Sequence, residues 1–146
     1  MIRQIAKKIY KDEYIEISYI CGGSMVILNW LPENRRMSEL EFCKQLKVMV
    51  QIIEEYEPRF VYIDAFDFNY PIFQCAVKLI NRILERATLQ AIGFVNSQHL
   101  LGSVFIKRLV TKIQTDIRIV IFNGRKEGKR WIMNFSGINL SSKTAD

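Results

Sequence analysis

Phe60-Val61-Tyr62-Ile63-Asp64-Ala65-Phe66-Asp67-Phe68-Asn69-Tyr70-Pro71 decides how this chain is read. Its first half is β-branched and aromatic, its second half acidic and amide-bearing, and a proline closes it. A strand buried on both faces shows such a continuous apolar run, and strands of this kind belong to parallel sheets covered by helices. The strand is read from Arg59 or Phe60 to Ala65, with the change of character from Asp64 marking its carboxyl end. In open α/β sheets, ligands and partners dock at that edge.

Working outward, Pro58 ends a helix that begins after Ser38. Ser38-Glu39-Leu40-Glu41 has the spacing of a capping box, and Phe42, Leu46, Met49, Ile53 and Tyr56 recur at three- and four-residue steps. Earlier still, residues 14–20 alternate as a half-buried strand does. Gly22-Gly23 supplies a turn, and residues 25–30 form a second strand, so the chain opens with a β-hairpin. On the other side of Pro71, Phe73, Ala76, Val77, Ile80, Ile83, Leu84 and Ala87 make an amphipathic helical stripe. Residues 89–95 follow as a strand, about 101–112 as a helix, and 117–122 as the last strand. A short helix spans 125–131.

The order β-β-α-β-α-β-α-β-α predicts an α/β fold with a mixed, mostly parallel sheet covered by helices. Residues 1–13 read as a lead-in segment, 14–132 as a single domain, and 133–146 as an irregular, flexible tail.

Composition narrows the class. With 146 residues, 49% hydrophobic and 25% charged, the chain has the length and balance to bury one core. No apolar run approaches the roughly 20 residues of a membrane span. The start lacks the apolar core of a secretory signal, so a cytoplasmic location is expected. Cys21, Cys43 and Cys75 are widely and irregularly spaced, matching neither a disulfide framework nor a zinc motif. They are expected to be reduced, partly buried small hydrophobes. No cofactor motif is present.

The net charge of +6 is concentrated late: residues 101–146 hold 9 basic and 3 acidic side chains. Arg125, Lys126, Lys129 and Arg130 form the densest basic patch, read first as a solvated helix face. It suits an acidic partner or anionic lipid better than nucleic acid, because exposed aromatics do not interleave with it. Trp131 beside it is expected to anchor a helix to the core.

Four local features together resemble the STAS domain, in particular its SpoIIAA-like branch of small stand-alone bacterial proteins. They are Trp30-Leu31-Pro32, Met37-Ser38-Glu39-Leu40-Glu41-Phe42, Val61-Tyr62-Ile63-Asp64-Ala65-Phe66-Asp67-Phe68, and Ile113-Gln114-Thr115 before a strand ending at Phe122. A short charged helix with a tryptophan follows, and the resemblance covers roughly 14–132. It implies a non-enzymatic interaction module that is regulatory through a protein partner. Anti-sigma antagonists of this family carry a phosphorylatable serine in the loop after the central strand. Here residues 64–73 hold no serine or threonine, and Tyr70 is the only hydroxyl, so the resemblance implies partner binding without a phosphoserine switch.

The residues themselves offer sharper alternatives. Asp64 and Asp67 are a carboxylate pair of the kind that holds Mg²⁺, but without a phosphate cradle; capping and loop roles are the plainer reading. Ser97, His99 and Asp64 can be written as a hydrolytic triad, yet no nucleophile elbow supports it. Phe66, Phe68, Tyr70 and Phe73 crowd one strand-to-helix junction, as core or as a pocket lining. The expected partner surface is Asp64, Asp67, Asn69 and Tyr70, joined by Ser97 and His99 if their corner adjoins. A homodimer is one form such a partner takes. The alternative is a carrier of an apolar or anionic, lipid-like ligand lined by Phe66, Phe68 and Phe73.

Overall fold

The computed structural model describes residues 6–22, 24–70, 74–86, 88–113 and 116–135. One six-stranded sheet runs through it in sequential order. The strands are β1 (Lys7–Lys11), β2 (Ile15–Ile20), β3 (Met25–Trp30), β4 (Phe60–Asp64), β5 (Ala91–Val95) and β6 (Arg118–Phe122). β1, β2 and β3 pair antiparallel, and β3 to β6 pair parallel. The fold is therefore α/β with a mixed sheet: antiparallel strands open it and parallel strands complete it.

Each parallel connection carries a helix, as a parallel return requires. These are α1 (Glu39–Tyr56), α2 (Gln74–Leu84) and α3 (Leu100–Lys112), and α4 (Arg125–Phe135) follows β6. Ser38 caps α1 as its spacing predicts: its hydroxyl accepts from Glu41 N–H at 3.1 Å, and Glu41 accepts from Ser38 N–H at 2.8 Å. Glu57 ends the helix in the left-handed region at φ 46°.

Alternation along the strands divides the core between two faces. One face sets Ile17, Leu28, Val61, Ile63, Ile92 and Phe94 against α1, α2 and α3. The other sets Met25, Phe60, Tyr62, Val95 and Phe122 against Trp131 of α4. Trp131 is buried and packs 5.7 Å from Phe122 and 6.3 Å from Tyr62, ring to ring, so it anchors α4 as expected. β4 and β5 are buried along their whole length.

Several boundaries differ from the sequence reading. The lead-in segment contains β1, a sixth strand pairing with β2. Its lysines and the register shift between Lys8 and Tyr10 hide the alternation, and both are devices that blunt a sheet edge. α4 extends through Phe135, so residues 133–135 are helical where irregular chain was expected from 133; residues 136–146 lie outside the described residues. Cys43 is disulfide-bonded and Cys21 is free and exposed, which corrects the expectation of three reduced, partly buried thiols. Sequence spacing says nothing about which cysteines the packing of separate elements brings together. Phe73 lies outside the described residues. Among the described residues, no helix is long and apolar enough to cross a membrane.

The β1–β2 turn is held by Asp12. Its Oδ1 accepts from Tyr14 N–H at 2.8 Å and Ile15 N–H at 3.0 Å, and its Oδ2 from the Tyr10 hydroxyl at 2.9 Å. Burial pushes this carboxyl's pKa up, but the two backbone donors, the Tyr10 hydroxyl and the Gln45 amide outweigh it, and the net direction is down. A carboxylate with a depressed folded pKa stabilises the fold above its unfolded pKa, and that stabilisation is lost as pH falls through the folded value. Urea unfolding measured below about pH 4 is therefore expected to show a steep loss of stability in the wild type. In Asp12→Asn, part of that slope should disappear. An unchanged acid limb would show that Asp12 does not contribute to it.

Candidate functional site

The parallel strands end level with one another: Asn29, Asp64 and Val95 share one register line. Beyond that line the corners after β4 and β5 meet. Ala65 N–H donates to Val95 O at 3.2 Å, Gln98 N–H to Phe66 O at 3.0 Å, and the Ser97 hydroxyl to Phe68 O at 2.5 Å. The condition that joined Ser97 and His99 to the Asp64–Tyr70 loop is thus met.

Arg125, the first residue of α4, closes the cluster. Its Nε donates to Asp64 Oδ2 at 2.7 Å, its terminal nitrogen to Asp67 Oδ2 at 3.2 Å, and its guanidinium lies 4.6 Å from the Phe66 ring centroid. A planar fork can serve two carboxylates and an aromatic face together, where a lysine ammonium is a single point charge. Asp64 also accepts from Phe66 N–H at 3.0 Å, and Asp67 from the Gln98 amide at 3.1 Å. The two carboxylates hold the Arg125 pKa above its ordinary value against the opposing effect of burial. Tyr62 lies beneath: burial, aided by the Asp64 charge, keeps its phenol well above the usual range, so it is neutral at ordinary pH. The helix can lie this close because Gly128 faces the Tyr62 hydroxyl, which leaves no room for a Cβ.

This geometry bears on three readings of these residues. Arg125 stays partly open to solvent, its side chain 43% exposed, but is tied to Asp64 and Asp67, while Lys126, Lys129 and Arg130 are exposed. Asp64 and Asp67 converge, but on a guanidinium. Among the described residues no group of three or more His, Cys, Asp or Glu is placed to hold a metal. The Ser97–His99–Asp64 triad does not assemble. Ser97 is buried with its hydroxyl donated to a backbone carbonyl, and it meets His99 through the backbone N–H, at 2.9 Å, rather than the ring.

The aromatic residues divide as well. Phe68 is 2% exposed and packs on Trp30 at 4.8 Å and Phe105 at 5.0 Å. Tyr70 is buried, and its hydroxyl donates to Met37 O at 2.6 Å. Phe66 remains half-buried under Arg125. The apolar cavity bordered by Trp30, Met49, Phe68, Ile80 and Phe105 holds about 30 Å³. Pockets for small ligands span about 300–1,000 Å³. This void has the volume of one water rather than of a lipid chain.

Sequence reasoning missed Asn34. It is fully buried in the 3₁₀ turn Pro32–Arg36, donates from Nδ2 to Leu31 O at 2.6 Å and Asp67 O at 2.8 Å, and accepts from Asn69 N–H at 2.9 Å. Asn69 enters the site through its backbone. Nothing in Pro32-Glu33-Asn34-Arg35-Arg36 separates this amide from its solvated neighbours.

Replacing Arg125 with methionine keeps the stem over Phe66 and leaves Asp64, mostly buried, without its cation. The expected loss is about 1–2 kcal/mol, between exposed and buried ion pairs. The double variant Asp64→Asn/Arg125→Met should lose clearly less than the sum of the single losses by urea unfolding. Additive losses would show that the two groups do not act together.

Comparison of the chain with models of known protein families, with characterised proteins and with solved structures finds no match.

Proposed function

We propose that this chain is a non-enzymatic, STAS-like interaction module that binds a protein partner at the carboxyl edge of its sheet. The observation that carries this reading is the contrast between the polar and apolar groups there. The chemically versatile side chains are committed internally: Asp64 and Asp67 to Arg125, Ser97 to Phe68 O. Immediately beyond them α3 begins with Leu100 and Leu101, 79% and 53% exposed. α1 begins at the same edge with Leu40, 82% exposed. A rigid, cross-braced corner carrying exposed leucines suits a docking surface, since large exposed apolar side chains grouped together mark interaction sites. The hairpin followed by parallel β-α units, and the absence of serine and threonine from residues 64–73, suit the stand-alone STAS branch without a phosphoserine switch. The roughly 30 Å³ cavity supports a partner module over a ligand carrier.

The test places a photocrosslinking amino acid at Leu100 in living cells, with the same residue at exposed Lys44 as control. One defined protein captured at 100 and not at 44, and lost on Leu101→Asp, is the expected result. Crosslinks that are the same at both positions would overturn the reading. So would a lipid co-purifying in stoichiometric amount, which would install the carrier instead.

A further inference from the structure

The two ends of the sheet are built differently. β1, the first edge, is basic along its length, carries a register shift, and ties Lys8 and Lys11 to Glu16 at 3.7 and 3.8 Å. These features discourage a further strand. β6, the other edge, is Arg118-Ile119-Val120-Ile121-Phe122 and, among the described residues, pairs on one side only. Ile119 and Val120 are half-buried and Ile121 is 36% exposed, where the equivalent positions of β4 and β5 are buried. No register shift, proline or lysine interrupts it.

The free backbone groups can be assigned. Arg118 N–H donates to Gln90 O at 3.3 Å, and Phe122 O accepts from Asn96 N–H at 2.8 Å, so residues 118 and 122 face β5. Backbone groups alternate sides along a strand, so Ile119 and Ile121 direct their N–H and C=O groups away from β5, to the open side. The elements that bracket β6 in the chain are both basic. α3 contains Lys107, Arg108 and Lys112 and no acidic residue, and α4 exposes Lys129 and Arg130. Arg118 on the strand is also exposed, and none of these six cations makes an ion pair among the described residues.

We infer that the open edge of β6 takes an extended, acidic segment of a partner protein as an added strand. Ile119 and Ile121 supply the main-chain bonds, and the basic residues of α3, β6 and α4 set its charge. Strand addition draws affinity from the main chain and selectivity from the side chains that alternate along it. A second copy of this chain would bring the same cations against each other, so charge selects an acidic partner over self-pairing. This surface runs along the side of the sheet, not across its strand ends, and is independent of the carboxyl-edge proposal.

The test titrates the full chain with a capped synthetic peptide of alternating glutamate and valine, following backbone amides by NMR and exchange. A lysine–valine peptide of equal length and a single-stranded oligonucleotide serve as comparators. The expected result is slowed exchange at Ile119 and Ile121 with the glutamate peptide alone, weakened by added salt. Ile121→Pro, which removes an outward donor and leaves the β5 ladder intact, should weaken binding about tenfold. Lys129→Glu/Arg130→Glu, both exposed, provides a second variant whose fold the change does not threaten, and it should weaken binding too. Unchanged exchange at 119 and 121, binding indifferent to both variants, or tighter binding of the oligonucleotide would each overturn the inference. Protection of both amides in the free chain would overturn it as well, because the edge would already be occupied.

Discussion

Gly102→Ala is expected to destabilise the protein by about 3 kcal/mol, although alanine normally strengthens a helix by about 1 kcal/mol over glycine. The reason is the approach of α3 to the loop after β4. A Cβ at position 102 would overlap the Phe68 carbonyl oxygen and stand 2.5 Å from Ser97 Oγ and 2.7 Å from Ser97 Cβ. A flexible side chain can swing away from such a contact, but a backbone carbonyl held in a hydrogen bond cannot. Phe68 O accepts from Ser97, and both corners would have to move with it. The check is urea unfolding with the slope held in view: the midpoint should fall while the slope stays constant. A loss under about 1 kcal/mol would show that α3 slides freely over the loop and that the corner is not rigid.

Asn34→Ala is expected to cost a similar amount, about 3 kcal/mol, by stranding two backbone groups at once. Asp67 O and Asn69 N–H lose their partner, Leu31 O keeps only the Asn34 backbone N–H, and the site is sealed by its surroundings. Asn34→Asp should be worse than alanine. It keeps the shape but sets a buried carboxylate against the carbonyls of Leu31 and Asp67, which can only accept. The order wild type, alanine, aspartate in thermal unfolding at neutral pH is the decisive readout. If aspartate matched the wild type, solvent would have to reach the amide, and Asn34 would not be the clamp between the 3₁₀ turn and the Asp64–Tyr70 loop. Because Asp67 O is one of its partners, the alanine variant is also expected to loosen the Arg125 fork. A fall in the coupling measured between Asp64 and Arg125 would report that loosening.

These two residues show where the chain's order of segments stops being informative. The apolar run before Asp64, the capping box at Ser38 and the three-to-four-residue stripes were enough to establish a mixed α/β sheet with helices on it. Period and capping are local properties, set by side-chain direction and by the few backbone groups a helix end leaves unpaired. The meeting of the β4 and β5 corners was also foreseeable, since consecutive parallel strands end side by side. β1 escaped because an edge strand needs neither alternation nor hydrophobicity, and its lysines serve the edge rather than the core. Cys43 escaped because a disulfide depends on distance in space.

The site depended on tertiary structure in a stricter sense. Asp64 and Arg125 are 61 residues apart, and along the chain one belongs to an acidic loop and the other to a basic helix. Only the passage of α4 across the second face of the sheet, made possible by Gly128 over Tyr62, brings the guanidinium onto both carboxylates and Phe66. What the chain's own residues determined was the fold class, the sheet edge where a site would lie and the loop that would form it. What the packing alone decided was which of those polar groups stay available. Pairing in space consumes them, and a linear pattern carries no record of distance between segments that far apart.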